Sequence, residues 1–234
     1  MRIFFAALCT IWALAPHAAI AQETSPVVVE LYTSQGCSSC PPADELLSEL
    51  AKRNDVIALA LHVDYWDYLG WADELASPKY TKRQKAYARE AGSRSVYTPQ
   101  MIIGGKEHVV GFRPMQVADA IAKRRAVQSD TRLELAMRGK RLSVTAKPNE
   151  ALPNRMIVQL VRFHPGKDVA IRRGENAGRT ITYSNIVTSW EQIGKWDGRR
   201  ALNLQTNVAG DEKVAVILQS QGPGEILAAA QLDR

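Results

Sequence analysis

Residues 27–42, VVVELYTSQGCSSCPP, constrain this chain more than any other part of its sequence. A run rich in β-branched residues ends in a small polar loop, which leads into Cys37-Ser-Ser-Cys40 and two prolines. Leucines at helical spacing follow, so the cysteines lie where a predicted strand passes into a predicted helix. This arrangement suits a dithiol/disulfide couple, because both sulfurs can meet and a helix N-terminus favours a thiolate. Redox chemistry is the leading interpretation.

The first 21 residues have the pattern of a secretory signal peptide. Arg2 supplies the positive charge, residues 3–15 are mostly apolar, and Ala19-Ile20-Ala21 forms a small-x-small cleavage site. The apolar stretch is too short to span a bilayer, and no later segment is long and apolar enough to do so. We therefore expect an exported, periplasmic protein without a membrane span. Cys9 lies in the removed segment, which leaves Cys37 and Cys40 as the one pair of thiols.

Three chemical roles are open to this pair. In a redox role, Cys37 is the nucleophile and Cys40 resolves the mixed disulfide. In a structural role the pair is a static bridge, although so small a loop restricts the unfolded chain little. In a metal role, the two thiolates, with His62, bind copper or another soft metal. Pro41 and Pro42 place Cys40 before the helix, which we expect to begin near Pro42; this weakens the dipole effect on Cys37.

Charge and composition limit the classes of binding partner that the sequence indicates. The chain carries a net charge of +6 without a Lys/Arg block, so a nucleic-acid partner is not indicated. Thiol exchange needs no cofactor, and the expected partners are protein or small-molecule thiols and disulfides. The sequence does not identify the redox partner.

The pattern of apolar residues changes near residue 128. Before it, the pattern predicts strands at residues 27–33 and 56–63 with a helix between them. Residues 78–91 are predicted to form a helix with a mostly basic exposed side that includes Lys82 and Arg83. A hairpin and a final helix follow, which gives the order β-α-β-α-β-β-α. After it, about seven short strands separated by Gly, Pro and Asn favour a β-sandwich. We predict domains at residues 22–128 and 129–234.

The segments TSQGCSSCPPADELL, HVDYWDYLGW, VYTPQMI, GENAGRT and WDG resemble an exported bacterial family known as domain of unknown function 1223. Residues 27–125 also resemble the thioredoxin fold. The resemblance implies an α/β thioredoxin-like domain followed by an all-β sandwich-like domain. It implies a cis peptide bond between Thr98 and Pro99, with both residues facing the cysteines and Thr98 tuning the disulfide. Glu30 lies near the position where thioredoxins bury an acid that takes the proton of the second thiol; the alternative is a Glu that faces solvent or a basic neighbour.

Two further segments have alternative interpretations. The aromatics Tyr65, Trp66, Tyr68 and Trp71 either line a substrate groove for an extended peptide or an apolar ligand, or form a satellite core under a loop. Residues 172–179, RRGENAGR, form either a solvated loop or a loop that packs against the first domain. A non-catalytic binding protein that acts through the β-sandwich is the remaining alternative function.

Overall fold

The computed structural model describes residues 25–127, 131–148 and 155–232, so the predicted signal peptide lies outside the described residues. The helices are α1 (Pro41–Leu50), α2 (Pro78–Glu90) and α3 (Pro114–Ala126), and a short 3-10 helix spans Asp67–Leu69. The strands are β1 (Val27–Thr33), β2 (Val56–His62), β3 (Gln100–Ile103), β4 (Glu107–Val110), β5 (Arg132–Arg138), β6 (Arg141–Lys147), β7 (Met156–Ala170), β8 (Thr180–Trp196), β9 (Leu202–Asn207), β10 (Lys213–Ser220) and β11 (Ile226–Leu232). Within the described ranges, no helix is long and apolar enough to cross a membrane.

One mixed sheet of eight strands dominates the fold. Its strand order is β11-β10-β7-β8-β2-β1-β3-β4, and β5, β6 and β9 form a second sheet of three strands. Strands β1 and β2 run parallel, as the predicted strand-helix-strand unit requires, whereas β3 is antiparallel to β1. Strand β8 lies parallel to β2 through the pair Ala60 and Ile186, and this contact joins the two halves of the sheet.

The predicted fold class, a thioredoxin-like domain followed by a separate β-sandwich, is therefore wrong. The elements up to α3 follow the predicted order, and seven strands come after them. However, β7, β8, β10 and β11 extend the sheet that contains β1 to β4. Strand β7 buries apolar side chains on both faces, with Val158 and Leu160 in one core and Val161 and Phe163 in another, so it occupies the interior of a large sheet.

The alternation of side chains along β1 places the two main cores. Val27, Val29 and Leu31 pack in the core that contains residues of α1 and α3, and Val28 and Tyr32 pack in the core that contains residues of α2. Successive residues of a strand point to opposite faces, so side chains at even positions of β1 face α2. The three-stranded sheet covers β7, β10 and β11 through a third core.

Candidate functional site

A disulfide links Cys37 and Cys40 between the end of β1 and the start of α1. The two Cα atoms are 5.4 Å apart. Cys37 lies in a turn in which its backbone N–H donates a 3.1 Å hydrogen bond to the Ser34 carbonyl oxygen. Cys40 is the N-cap residue of α1, so the helix begins at Pro41, one residue earlier than predicted. Both cysteines are buried, and Cys37 keeps 2% of its surface exposed. Ser38 and Ser39 between them are exposed.

The end of the β7–β8 hairpin covers this turn. The Nδ2 atom of Asn176 donates to the carbonyl oxygens of Gln35 (3.0 Å) and Cys37 (2.9 Å), and the Ser38 N–H donates to Glu175 Oε2 at 3.3 Å. Asn176 is buried, although its neighbours in residues 172–179 are exposed. The interpretation that this loop packs against the first half of the chain is confirmed.

The Thr98–Pro99 peptide bond is cis, as the resemblance implied. Thr98 Oγ1 accepts a 2.7 Å hydrogen bond from the indole Nε1 of Trp66. Trp66 in turn packs against Gly36, where an added Cβ would lie 3.1 Å from the Trp66 Cβ atom. Thr98 is thus connected through Trp66 to the residue that precedes Cys37.

The structure separates the four aromatics of the predicted groove. Tyr65 and Trp66 pack against the core on the α2 side, and the Tyr65 hydroxyl donates to Gln84 at 3.2 Å. Trp71 packs beside the far end of the β7–β8 hairpin, where its Nε1 donates to Gln35 Oε1 at 2.7 Å. Tyr68 is 79% exposed. Trp66 and Trp71 are the two that contact the loop leading to Cys37.

A polar cluster lies in the protein interior beside the disulfide. It consists of Thr33, Gln35, Asp44, His62, Asp73 and Tyr183. His62 Nδ1 lies 2.7 Å from Asp73 Oδ2, which also accepts from the Gln35 N–H at 2.8 Å. The His62 and Tyr183 rings meet edge to face at 4.7 Å between centroids.

This cluster contains the buried side-chain atoms that lack a hydrogen-bond partner within the described part of the chain. They are Thr33 Oγ1, Gln35 Nε2, both Asp44 carboxyl oxygens, His62 Nε2 and the Tyr183 hydroxyl. A buried polar atom without a partner costs about 1–3 kcal/mol. Their concentration in one place distinguishes this region from an ordinary core.

Asp44 is the strongly perturbed acid of the cluster. Burial raises the pKa of Asp44 to about 7, because the ionised carboxylate loses its water; His62 and the nearby Thr33 hydroxyl oppose the rise, and Asp73 adds to it. Asp44 lies one helical turn after Cys40, and its N–H donates to the Cys40 carbonyl at 3.1 Å. The arrangement offers a group that gains or loses a proton near neutral pH, one turn from a cysteine.

Glu30, in contrast, is not brought to the cysteines. Its carboxylate is buried on the α2 face of the sheet, where it accepts from Arg83 Nε (2.7 Å) and Nη2 (2.9 Å) and from the hydroxyls of Tyr32 (3.0 Å) and Tyr87 (2.6 Å). Helix α1, which follows Cys40, packs on the opposite face. Glu30 therefore fits the alternative prediction, in which it faces a basic neighbour. The prediction that Arg83 belongs to the exposed side of α2 is wrong, because its ion pair with Glu30 draws the Arg83 side chain inward.

No group of three or more His, Cys, Asp and Glu side chains in the described ranges is arranged to hold a metal ion. His62, the third member of the alternative metal set, is paired with Asp73 as described above.

The site residues that were not predicted differ in whether the sequence contains a signal for them. Asp44 had a local signal, since an acid four positions after Cys40 falls on the same side of the predicted helix. Asp73 had none, because it reaches Gln35 from a loop 38 residues further along the chain, and only the tertiary fold brings the two together. Asn176 lies in residues 172–179, for which packing against the first domain is one of the two predicted alternatives, but no local pattern singles it out as the donor to Cys37.

Fold and site together define a mixed α/β protein with a Cys-Ser-Ser-Cys disulfide at the start of a helix. The chain belongs to the family described as protein of unknown function (DUF1223), whose model matches residues 28–219.

Solved structures share this architecture. An Agrobacterium tumefaciens protein with an X-ray crystal structure is 34% identical, with a TM-score of 0.79 over 91% of this chain and 96% of that one. HBP35 of Porphyromonas gingivalis is 13% identical, with a TM-score of 0.61 over 91% of this chain and 76% of that one, which is a likeness of fold alone. No curated protein matches the sequence significantly.

Proposed function

We propose that this protein is an exported thiol-disulfide oxidoreductase that uses Cys37 and Cys40 as a two-electron couple on protein or small-molecule thiols. The observation that supports this most is the disulfide itself, placed at the N-terminus of α1. A bridge between residues three positions apart restricts the unfolded chain little, so stabilisation is a weak reason for it. A helix N-terminus favours the thiolate form on which exchange depends.

The exchange cycle needs only the two sulfurs. In the reducing direction, the Cys37 thiolate attacks a substrate disulfide, forms a mixed disulfide and releases one substrate thiolate. The Cys40 thiolate then attacks Cys37 Sγ, releases the second substrate thiolate and closes the Cys37–Cys40 bond. The substrate gains the two electrons that the protein dithiol loses, and the reverse sequence oxidises a dithiol substrate. We assign the attack to Cys37, which keeps 2% of its surface exposed, whereas Cys40 keeps none.

We further propose that Asp44 exchanges a proton with Cys40 during this cycle, because it lies one helical turn after Cys40 and its N–H donates to the Cys40 carbonyl oxygen. It is the acid nearest to Cys40 along α1, and its raised pKa makes both protonation states accessible near neutral pH. Glu30 lacks this freedom, because Arg83, Tyr32 and Tyr87 occupy its carboxylate oxygens. We therefore assign to Asp44 the proton-accepting role that the resemblance implied for Glu30.

Thr98, Pro99 and Trp66 form the proposed substrate side of the site. Trp66 contacts Gly36 and holds the Thr98 hydroxyl, so the backbone around Pro99 is kept near the turn that contains Cys37. An extended substrate chain would lie along this loop. Export to the periplasm would supply the oxidising conditions under which the disulfide persists.

A redox titration tests the proposal. The mature chain is equilibrated with dithiothreitol or glutathione buffers, and the thiols are trapped and counted by mass. We expect one reversible two-electron transition. A Cys40→Ser variant expressed in the native compartment should accumulate mixed disulfides through Cys37.

Matched variants make the outcome decisive. A Cys37→Ser variant keeps only Cys40, which has no exposed surface against 2% for Cys37, so it should trap fewer mixed disulfides. A disulfide that resists reduction until the protein unfolds would contradict the proposal, as would equal trapping by both single variants. A mature chain that begins elsewhere than near Gln22, or remains cytoplasmic, would contradict the export part alone.

A further inference from the structure

A groove on the opposite side of the sheet from α1 has no part in the exchange site. It lies between α2 and the C-terminal strands and encloses about 380 Å³. Arg83, Ala86 and Trp190 are among its lining residues, with Gly222 and Pro223 at one end. A cavity of this size falls at the lower end of the range of small-molecule sites.

The rim of the groove is strongly cationic. Lys79, Lys82 and Arg89 line it at spacings of three and seven residues, so they lie along one face of α2. Arg83 is in the same row, but its charge is balanced by the two-pronged ion pair with Glu30. In the described part of the chain, none of the three rim cations forms an ion pair, and the nearby acidic group is the Glu90 carboxylate beside Gly222 at one end of the groove.

The floor of the groove combines a stacked cation–π pair with apolar side chains. The Arg83 guanidinium lies over the Trp190 ring, with Cζ 3.7 Å from the ring centroid. The Trp190 Nε1 donates to Gln159 at 2.7 Å, so its polar atom is already satisfied. Ile157, Ala86 and Pro223 complete an apolar lining that is only partly buried. Such a floor accepts an aromatic or aliphatic body by stacking and dispersion.

We propose that this groove binds a small organic anion, with its apolar body against Ile157, Ala86 and Pro223 beside the Arg83–Trp190 stack and its carboxylate against the rim cations of α2. The rim cations match the carboxylate of such a ligand, and the apolar lining matches its apolar body. A simple inorganic anion leaves the apolar lining uncovered, and a neutral hydrocarbon leaves the cations without a counterion. This inference is independent of the proposed thiol exchange, since no groove residue contacts the disulfide turn.

Calorimetric titration with 2-naphthoate and with its neutral isostere 2-naphthamide tests the proposal on the mature chain. We expect saturable one-to-one binding of the carboxylate, weaker binding of the amide, and a loss of affinity as ionic strength rises. A Lys79→Gln, Lys82→Gln double variant should raise Kd about five- to tenfold, the size of two partly exposed charge contacts.

The control is Lys85→Gln, which removes an exposed charge from the same helix outside the groove. It should leave Kd unchanged, and so should a Cys37→Ala, Cys40→Ala variant, which separates this site from the redox proposal. Equal affinity for the amide, an equal effect of Lys85→Gln, or the absence of saturable naphthoate binding would overturn the inference. An Ile157→Thr variant, which keeps the β-branched shape but makes the lining polar, with unchanged affinity would overturn the placement of the ligand body.

Discussion

The Nδ2 atom of Asn176 donates a 2.9 Å hydrogen bond to the carbonyl oxygen of Cys37, although 139 residues separate them in the sequence. The same nitrogen also donates to the Gln35 carbonyl at 3.0 Å. One amide side chain at the tip of the β7–β8 hairpin thus fixes the backbone on which the disulfide is built. The C-terminal half of the chain is part of the site.

Replacing Asn176 by Ala should destabilise the oxidised protein by about 2–3 kcal/mol, because two carbonyl groups lose their donor in a buried place. Denaturant unfolding of the oxidised form measures this. The exposed Asn203→Ala change in β9 is the control and should stay within about 0.5 kcal/mol of the parent. A loss below about 0.5 kcal/mol for Asn176→Ala would mean that water replaces the amide without penalty.

The pKa of Asp44 predicts a pH dependence of stability. Its pKa is about 7 in the folded protein against an ordinary value of 3.8, so the folded state binds this proton more tightly than the unfolded chain. The resulting stabilisation is complete below the unfolded pKa and is lost as pH rises through the folded pKa. Its full size is on the order of 4 kcal/mol.

An Asp44→Asn variant should remove this dependence. The amide stays neutral, so the free energy of unfolding of the variant minus that of the parent should rise as pH increases from about 4 to about 7 and then level off. Urea unfolding across this range measures the difference. Parallel pH profiles for the two proteins would show that Asp44 does not titrate as proposed.

Local sequence patterns are enough to predict the features of the site that depend on residues close together in the chain. The spacing of Cys37 and Cys40, the prolines after them and the cis Thr98–Pro99 bond all lie within short segments or within a recognisable family pattern. Strands and helices were predicted for the same reason, since the periodicity of apolar residues depends on neighbours in the chain.

Strand partners and buried ion pairs depended on contacts that periodicity does not encode. The apolar run of β7 is compatible with a sandwich core or with the interior of a large sheet, and only the pairing of β8 with β2 decides between them. Likewise, Arg83 has the same spacing as its exposed neighbours on α2. Its burial follows from the carboxylate of Glu30, 53 residues earlier.

The hydrogen bond between Trp66 and Thr98 can be tested by an isosteric substitution. Thr98→Val keeps the shape but removes the acceptor for the Trp66 Nε1, so we expect a loss of about 1–2 kcal/mol. Thr98→Ser keeps the hydroxyl and should lose less. Urea unfolding compares the two variants, with tryptophan fluorescence reporting the change at Trp66. A Val variant as stable as the parent, or a Ser variant as unstable as the Val variant, would contradict the prediction that stability follows the hydroxyl group.

The ion pair of Glu30 and Arg83 should contribute to stability and leave thiol exchange unchanged, because it lies on the face of the sheet opposite α1. Arg83→Met leaves a buried carboxylate without its cation and should cost about 3–5 kcal/mol, whereas the Glu30→Gln, Arg83→Met double variant should recover part of this loss. Lys85→Met on the exposed side of α2 is the control. Unfolding measurements test the predicted loss of stability, and the reduction potential of the cysteines tests whether thiol exchange is unchanged. A shifted potential in Glu30→Gln would return Glu30 to the redox mechanism.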